Sequence, residues 1–388
     1  MPPGRHFLQI PGPTNVPERI YRALSQSTID HRGPEFARLT SNVLKRLGQI
    51  FQTKGPVISY PSSATGAWEA ALVNTLSPGD TVLFCANGHF ASRWCAVAKG
   101  VGVEVETIES DWRYPVDPAA VEIRLSEDRS RTIRAVCLVH NETSTGVAND
   151  VAGVRAAIDR AGHDALLIVD TVSSLASMDY RHDEWGVDVT VAGSQKGLML
   201  PPGLGFNAIS AKAQTAAATA KCPKAYWEWE PILDLNQRGI FPYTPATNLF
   251  YGLDVALDML LTEGLEQVFV RHRTLAEATR RAVRAWGLQI YCRDQKAYSQ
   301  SLTAVEMPPG HDADELRRLI LERFDMSLGT GLGPIKGKVF RIGHLGDFNA
   351  LMLAGTLSGV EMGLKLSGVP YTEGGVQAAL NYLADLRR

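Results

Sequence analysis

Two stretches decide the fold: Leu166-Leu167-Ile168-Val169-Asp170, and the run Val187–Ala192 that leads into Gly193-Ser194-Gln195-Lys196-Gly197. Each is short, apolar on both faces and ends on polar residues, the pattern of a buried parallel strand covered by helices. Asp170 and Lys196 stand 26 positions apart, an interval that fits one strand-to-strand connection. Open α/β sheets bind ligands in the crevice beyond the carboxyl ends of their strands, where both residues would then sit. A lysine there can be desolvated and its pKa lowered, which makes a usable Schiff-base nucleophile. A carboxylate there must be paired with something cationic, because an unpaired one costs too much to bury. Taken singly, a lysine beside glycine is more often a solvated loop residue, and an aspartate can be satisfied by the next turn. It is the pair that points to a site.

Further strands are read at Thr81–Ala86, Val101–Ile108, Ile133–His140 and Leu204–Ser210. Helical spacing recurs at Leu39, Val43, Leu47, Ile50 and Phe51, and at Val151, Val154, Ile158 and Ala161 after the capping residue Asp150. Strand alternating with helix argues for an α/β sheet with crossover connections. Composition shifts after the Pro-rich, aromatic segment Cys222–Pro245. A helix from Leu253 into Glu266 leads to helices near Arg273–Trp286 and Asp314–Phe324, and to strands near Leu288–Cys292, Ser301–Met307 and Val339–Gly343. A long terminal helix near Asn349–Leu366 follows. This second set reads as a smaller α+β domain. The division is therefore 1–260 for an amino-terminal arm with the large domain, and 261–388 for the small domain.

At 388 residues, 45% of them hydrophobic and 21% charged, the chain can bury a sizeable core. A net charge of -2 gives no basic field for nucleic acid. Cys85, Cys95, Cys137, Cys222 and Cys292 are odd in number and form no C-x-x-C pair, which suits buried thiols better than disulfides or a metal site. No apolar run nears the roughly 20 residues needed to span a bilayer. The start, MPPGRHFLQIPGPT, does not read as a signal peptide, and Leu386-Arg387-Arg388 does not match a peroxisomal signal. The expectation is a cytoplasmic protein without a membrane partner.

Pro61-Ser62-Ser63-Ala64-Thr65-Gly66 precedes a helix-like run, Ala67–Leu76. Small and hydroxylated residues at a helix amino terminus can cradle a phosphate through free N–H groups, the dipole and hydroxyls. A pyridoxal ring would supply the cation that Asp170 needs, since an acidic partner holds its nitrogen protonated and makes the ring an electron sink.

Asp170-Thr171-Val172-Ser173-Ser174 and Gly193-Ser194-Gln195-Lys196-Gly197 together resemble the signature of the class V, fold-type I, pyridoxal-phosphate-dependent aminotransferases. Further matches are Pro11-Gly12-Pro13-Thr14, His31–Phe36, His140–Gly146 and Phe340–Gly346, nearly end to end. The subgroup most resembled is that of the serine–glyoxylate and alanine–glyoxylate aminotransferases. The resemblance implies a mainly parallel seven-stranded sheet and pyridoxal 5'-phosphate as cofactor. It assigns Lys196 as the lysine that bonds the cofactor and shuttles the proton, and Asp170 as the partner of the ring nitrogen. Val172 belongs to the same ring-binding motif. Ser63, Ala64, Thr65 and Gln195 would hold phosphate, Thr143 would lie beside the ring hydroxyl, and Phe90 would stack on the ring where relatives carry Trp. Tyr243 and Thr244 match a segment that reaches the phosphate from the neighbouring subunit of a homodimer. Arg341 would clamp the substrate α-carboxylate through two N–H bonds.

The reaction implied is transamination of a small amino acid, serine first, with glyoxylate to give glycine and a 2-keto acid. Alanine is an alternative donor. Aspartate is another, since Arg32, Arg93 or His344 could serve a second carboxylate. A cysteine desulfurase would need a nucleophilic Cys before the clamp arginine, and Ser327–Lys338 contains none. A non-catalytic cofactor-binding protein is the remaining rival.

Overall fold

The computed structural model describes residues 4–386, so the outermost terminal residues used in the targeting reading lie outside it. Its main sheet has seven strands in the order Val57–Pro61, Leu204–Ile209, Val189–Gly193, Leu166–Asp170, Ile133–Val139, Thr81–Ala86 and Glu104–Glu109. Only Leu204–Ile209 runs against its neighbours; the remaining pairings are parallel. Successive side chains of a strand point to opposite faces, and both faces here are covered. Val82 and Phe84 enter one apolar cluster, while Leu83 and Cys85 enter the other. Each fully buried Leu or Ile on such a strand contributes roughly 1.5–3 kcal/mol, which is why these runs tolerate almost no polar residue. All five cysteines are free and buried.

A second sheet has the order Phe7–Gln9, Met326–Thr330, Val339–Gly343, Leu302–Glu306, Gln289–Ile290. The division at residue 260 gives the amino-terminal arm to the first unit, yet Phe7–Gln9 pairs in parallel with Met326–Thr330 and caps the edge of the second sheet. Helices Leu265–Ala285, Ala313–Phe324 and Ala350–Ser367 pack around this sheet with their own apolar cluster.

Several element boundaries differ from the sequence reading. The Ala64–Thr75 helix starts three residues before the expected Ala67, because Ser63 takes the capping position and the small residues after it are already helical. Leu265–Ala285 begins well before Arg273, since Gly264, at φ +83°, turns the chain directly from Thr247–Glu263 into the next helix. Ala350–Ser367 is not the last helix. Gly375–Asp385 follows it and packs on Leu265–Ala285. Among the described residues no helix is long and apolar enough to cross a membrane.

Candidate active site

The carboxyl ends of the central strands open on a cavity of 210 Å³ lined by Gly12, Ser63, Ala64, Thr65, Trp68, Phe90, Val139, Thr143, Asp170, Val172, Gln195 and Lys196. Nine positions expected from the sequence thus come together from five separate stretches of chain. Asp170 ends its strand and Lys196 follows the neighbouring one, as the topology of the sheet requires. Both are nearly withdrawn from solvent, at 3% and 7% exposure.

Burial pushes the Asp170 carboxyl up to about 7, against the pull of its hydrogen bonds and of the Lys196 charge. Its Oδ1 accepts from the Val172 N–H at 2.7 Å, and its Oδ2 from the Trp68 indole N–H at 2.7 Å. Trp68 lies stacked on Trp94 at 5.7 Å between ring centres, which locks the donor in place. Burial likewise pushes the Lys196 amine down to about 7; Arg341 adds to this and Asp170 opposes it. The amine donates to the carbonyl of Pro11, on the arm. Gly12 beside it has φ +100°, and a Cβ there would come within 2.6 Å of the lysine Nζ. The arm is tied down further: Thr14 N–H donates to the Gln195 carbonyl at 3.1 Å, and the Thr14 hydroxyl to the Lys196 carbonyl at 3.2 Å.

At one end of the cavity stands the amino terminus of the Ala64–Thr75 helix. Ser63 occupies its cap position without a side-chain capping bond. Helix N–H groups that lack intrahelical partners form a ready anion site. The buried Oε1 of Gln195 has no hydrogen-bond partner among the described residues. A free helix terminus and a buried carboxylate fit a ligand with an anionic group and a ring nitrogen, and the Gln195 amide, turned end for end, would offer its NH₂ to the anion.

Arg341 does not line this cavity but lies close by, on the Val339–Gly343 strand. Burial moves its guanidinium down to about 10. Its Nη1 donates to the Thr143 carbonyl at 2.7 Å and its Nε to the Thr330 carbonyl at 2.8 Å. Two of five N–H groups are thereby spent on orientation, and the outer ones remain for a carboxylate. Gly329, opposite in the register, leaves room: a Cβ there would sit 3.0 Å from that of Arg341. Tyr243 and Thr244 are absent from the cavity wall. The Tyr243 hydroxyl instead donates to the Ser59 carbonyl at 3.2 Å, and Thr244 is exposed.

His344, considered as a reader of a second carboxylate, is corrected by its surroundings. It is fully buried, its ring nitrogens face the Thr303 hydroxyl at 3.0 Å and the Gln300 carbonyl at 3.1 Å, and burial takes its pKa down to about 3. Arg32 and Arg93 are both exposed. The sequence reading gave no role to Trp68 or Gly12. Trp68 sits 102 positions from Asp170, so only the folded chain pairs them. Pro11-Gly12-Pro13-Thr14 was a signal for the arm, but not for its contact with the lysine.

The chain is 46% identical over 384 residues to a serine–glyoxylate aminotransferase of Arabidopsis thaliana, covering 98% of this chain and 96% of that protein. It is 45% identical to an L-aspartate–glyoxylate aminotransferase of Paracoccus denitrificans, over 95% of this chain and 94% of that one. The crystal structure of pyridoxamine–pyruvate aminotransferase from Mesorhizobium loti superposes with a TM-score of 0.91 at 29% identity, covering 98% and 97% of the two chains. The family profile for aminotransferase class V matches residues 11–332, and the chain belongs to that family.

Proposed function

We propose that this aminotransferase binds pyridoxal 5'-phosphate through Lys196 and moves the amino group of a small amino acid, serine first, to glyoxylate, giving glycine and a 2-keto acid. The observation that carries the reading is the facing of Asp170 and Lys196, both buried, across one cavity at the ends of adjacent strands. When bound, the cofactor supplies an electron sink that makes the substrate Cα–H acidic. Asp170 holds a proton at the ring nitrogen, and Trp68 and the Val172 N–H fix its carboxylate for that task. Lys196 would be the covalent anchor, and its amine, when free, would be the base that carries the proton from Cα. A pKa near neutrality suits both duties. Ser63, Ala64, Thr65 and Gln195 would hold the phosphate, and Phe90 and Thr143, from the same cavity wall, would hold the ring. Arg341 grips the α-carboxylate that amino donor and glyoxylate share. Tyr243 and Thr244 of the partner subunit complete the phosphate site of a homodimer, and the boundary between the large and small domains falls near residue 260, with the arm strand Phe7–Gln9 added to the small domain's sheet.

Serine is favoured as donor by the identity to a serine–glyoxylate enzyme over nearly the whole chain. Aspartate is the second reading, on the comparable identity to the Paracoccus protein. Exposed Arg32 and Arg93 remain the candidates to meet its extra carboxylate. Reduction of the purified protein with borohydride, followed by peptide mapping, should place the cofactor on Lys196. With glyoxylate as acceptor, glycine should form fastest from serine and slower from alanine or aspartate. A label on another lysine, or no glycine from any amino donor, would refute the proposal.

A further inference from the structure

One buried acid takes no part in the chemistry described so far. Glu142 lies in the two-residue strand Asn141–Glu142, is fully buried, and makes no ion pair within 4 Å among the described residues. A carboxylate so placed is tolerated only if hydrogen bonds replace its water. Four donors do so here. Oε1 accepts from the Ser144 N–H at 3.0 Å and the Ser144 hydroxyl at 2.6 Å. Oε2 accepts from the N–H groups of Phe90 and Ala91, both at 3.1 Å. The latter two belong to the first turn of the His89–Gly100 helix, whose dipole favours an anion at that end. The His89 N–H closes the arrangement by donating to the Ser144 hydroxyl at 3.0 Å. Gly88 is what allows so close an approach, since a Cβ there would meet Glu142 Oε2 at 2.6 Å.

The segments fastened by this carboxylate border the cavity: Phe90 is bonded directly, and Thr143 is the chain neighbour of the bonded Ser144. Phe90 and Thr143 line the cavity, and the Thr143 carbonyl receives the Arg341 guanidinium. We propose that Glu142 is a positioning residue: its carboxylate locks the Phe90 segment to the Thr143–Ser144 loop, and so sets the ring-covering face and the carboxylate clamp in fixed relation. The proposal rests on the roles assigned above to Phe90 and Arg341. A glutamine is a poor substitute, because in either orientation its NH₂ would face at least one backbone N–H, and it carries no charge for the helix terminus.

The test uses the purified protein carrying pyridoxal phosphate, with Glu142→Gln and Ser144→Ala, the second removing one hydroxyl and no charge. The expected result is a cofactor content close to wild type and a weakened visible circular dichroism of the bound cofactor. KM for both serine and glyoxylate should rise in Glu142→Gln by roughly ten- to hundredfold, the range of a lost hydrogen bond to a charged group. Ser144→Ala should show the same effects in smaller measure, and it decides the matter if Glu142→Gln does not fold. Lower melting temperatures with unchanged circular dichroism and unchanged KM values would overturn the proposal and leave Glu142 a part of the fold alone. If the wild-type protein binds the cofactor but makes no glycine, the reaction assigned above fails. The dichroism comparison still decides the role of Glu142.

Discussion

Lys196 and Asp170 owe their properties to the same burial acting in opposite directions. The low-dielectric site disfavours charge on either group, so the amine falls and the carboxyl rises, both to about 7. An ordinary lysine, at 10.5, would be almost wholly protonated at neutral pH and a poor nucleophile. The linkage follows from the sign. Between about 7 and 10.5 the unfolded chain binds more protons at this lysine than the folded one. Its contribution to stability therefore grows with rising pH across that window and is lost as pH falls toward 7. Chemistry follows the same curve. Stopped-flow capture of pyridoxal phosphate by the cofactor-free protein should accelerate with pH through a midpoint near 7 and then level off. Because the Asp170 charge holds the Lys196 pKa up, Asp170→Asn should move that midpoint lower. A rate that keeps climbing past pH 9 in the wild-type protein would contradict the assignment of a desolvated lysine.

At the level of elements, the amino-terminal arm joins the second sheet to the reactive lysine. Phe7–Gln9 is paired to Met326–Thr330, and five residues later Thr14 is bonded to the backbone of Gln195 and Lys196. Between them Gly12 passes the lysine in a conformation that L side chains rarely adopt. Gly12→Ala should cost about 1–3 kcal/mol of stability from backbone strain. It should also displace the Lys196 side chain, so that the borohydride-fixed cofactor drops well below one per chain. Denaturant titration and peptide mapping read the two effects, and wild-type values in both would show the contact to be idle. Sequence patterning could not supply this contact. The long apolar strands at 133–139, 166–170 and 189–193 were legible because burial on both faces writes itself into consecutive residues. Val57–Pro61, ending on proline, and Met326–Thr330, with serine, glycine and threonine among its five residues, carry too little of that signal. Lys196, Asp170 and the motif residues around them stood out by type and order. Trp68 did not, and Gly12 and Glu142 stood in matched motifs without a role, because their partners are brought to them only by the fold.

The whole molecule poses a question of charge. A phosphate group carries about -1.5 to -2 at neutral pH. The part of the cavity assigned to it here consists of Ser63, Ala64, Thr65 and Gln195, all neutral, with a helix terminus behind them. Such a cradle gains from further donors, and Tyr243 and Thr244 are not among its walls within one chain. They lie instead on a surface ledge where Tyr226 is 42% exposed and stacks on Tyr243 at 4.8 Å between ring centres. Half-exposed aromatic residues of this kind are enriched where subunits meet. A two-fold dimer would carry each ledge to the other subunit's site, since the same patch serves both chains. Sedimentation should accordingly find a dimer at assay concentrations. A stricter check uses two inactive variants, Lys196→Ala and the double replacement Tyr243→Phe with Thr244→Ala. In a mixed dimer one site combines intact Lys196 with the intact ledge of its partner, while the other site collects both lesions. Equal mixing with free exchange makes half the dimers mixed, so activity should return to about a quarter of the wild-type level. The competing account keeps Tyr243 at home, where its hydroxyl already bonds the Ser59 carbonyl. On that account every chain in the mixture keeps its own lesion, and exchange restores nothing.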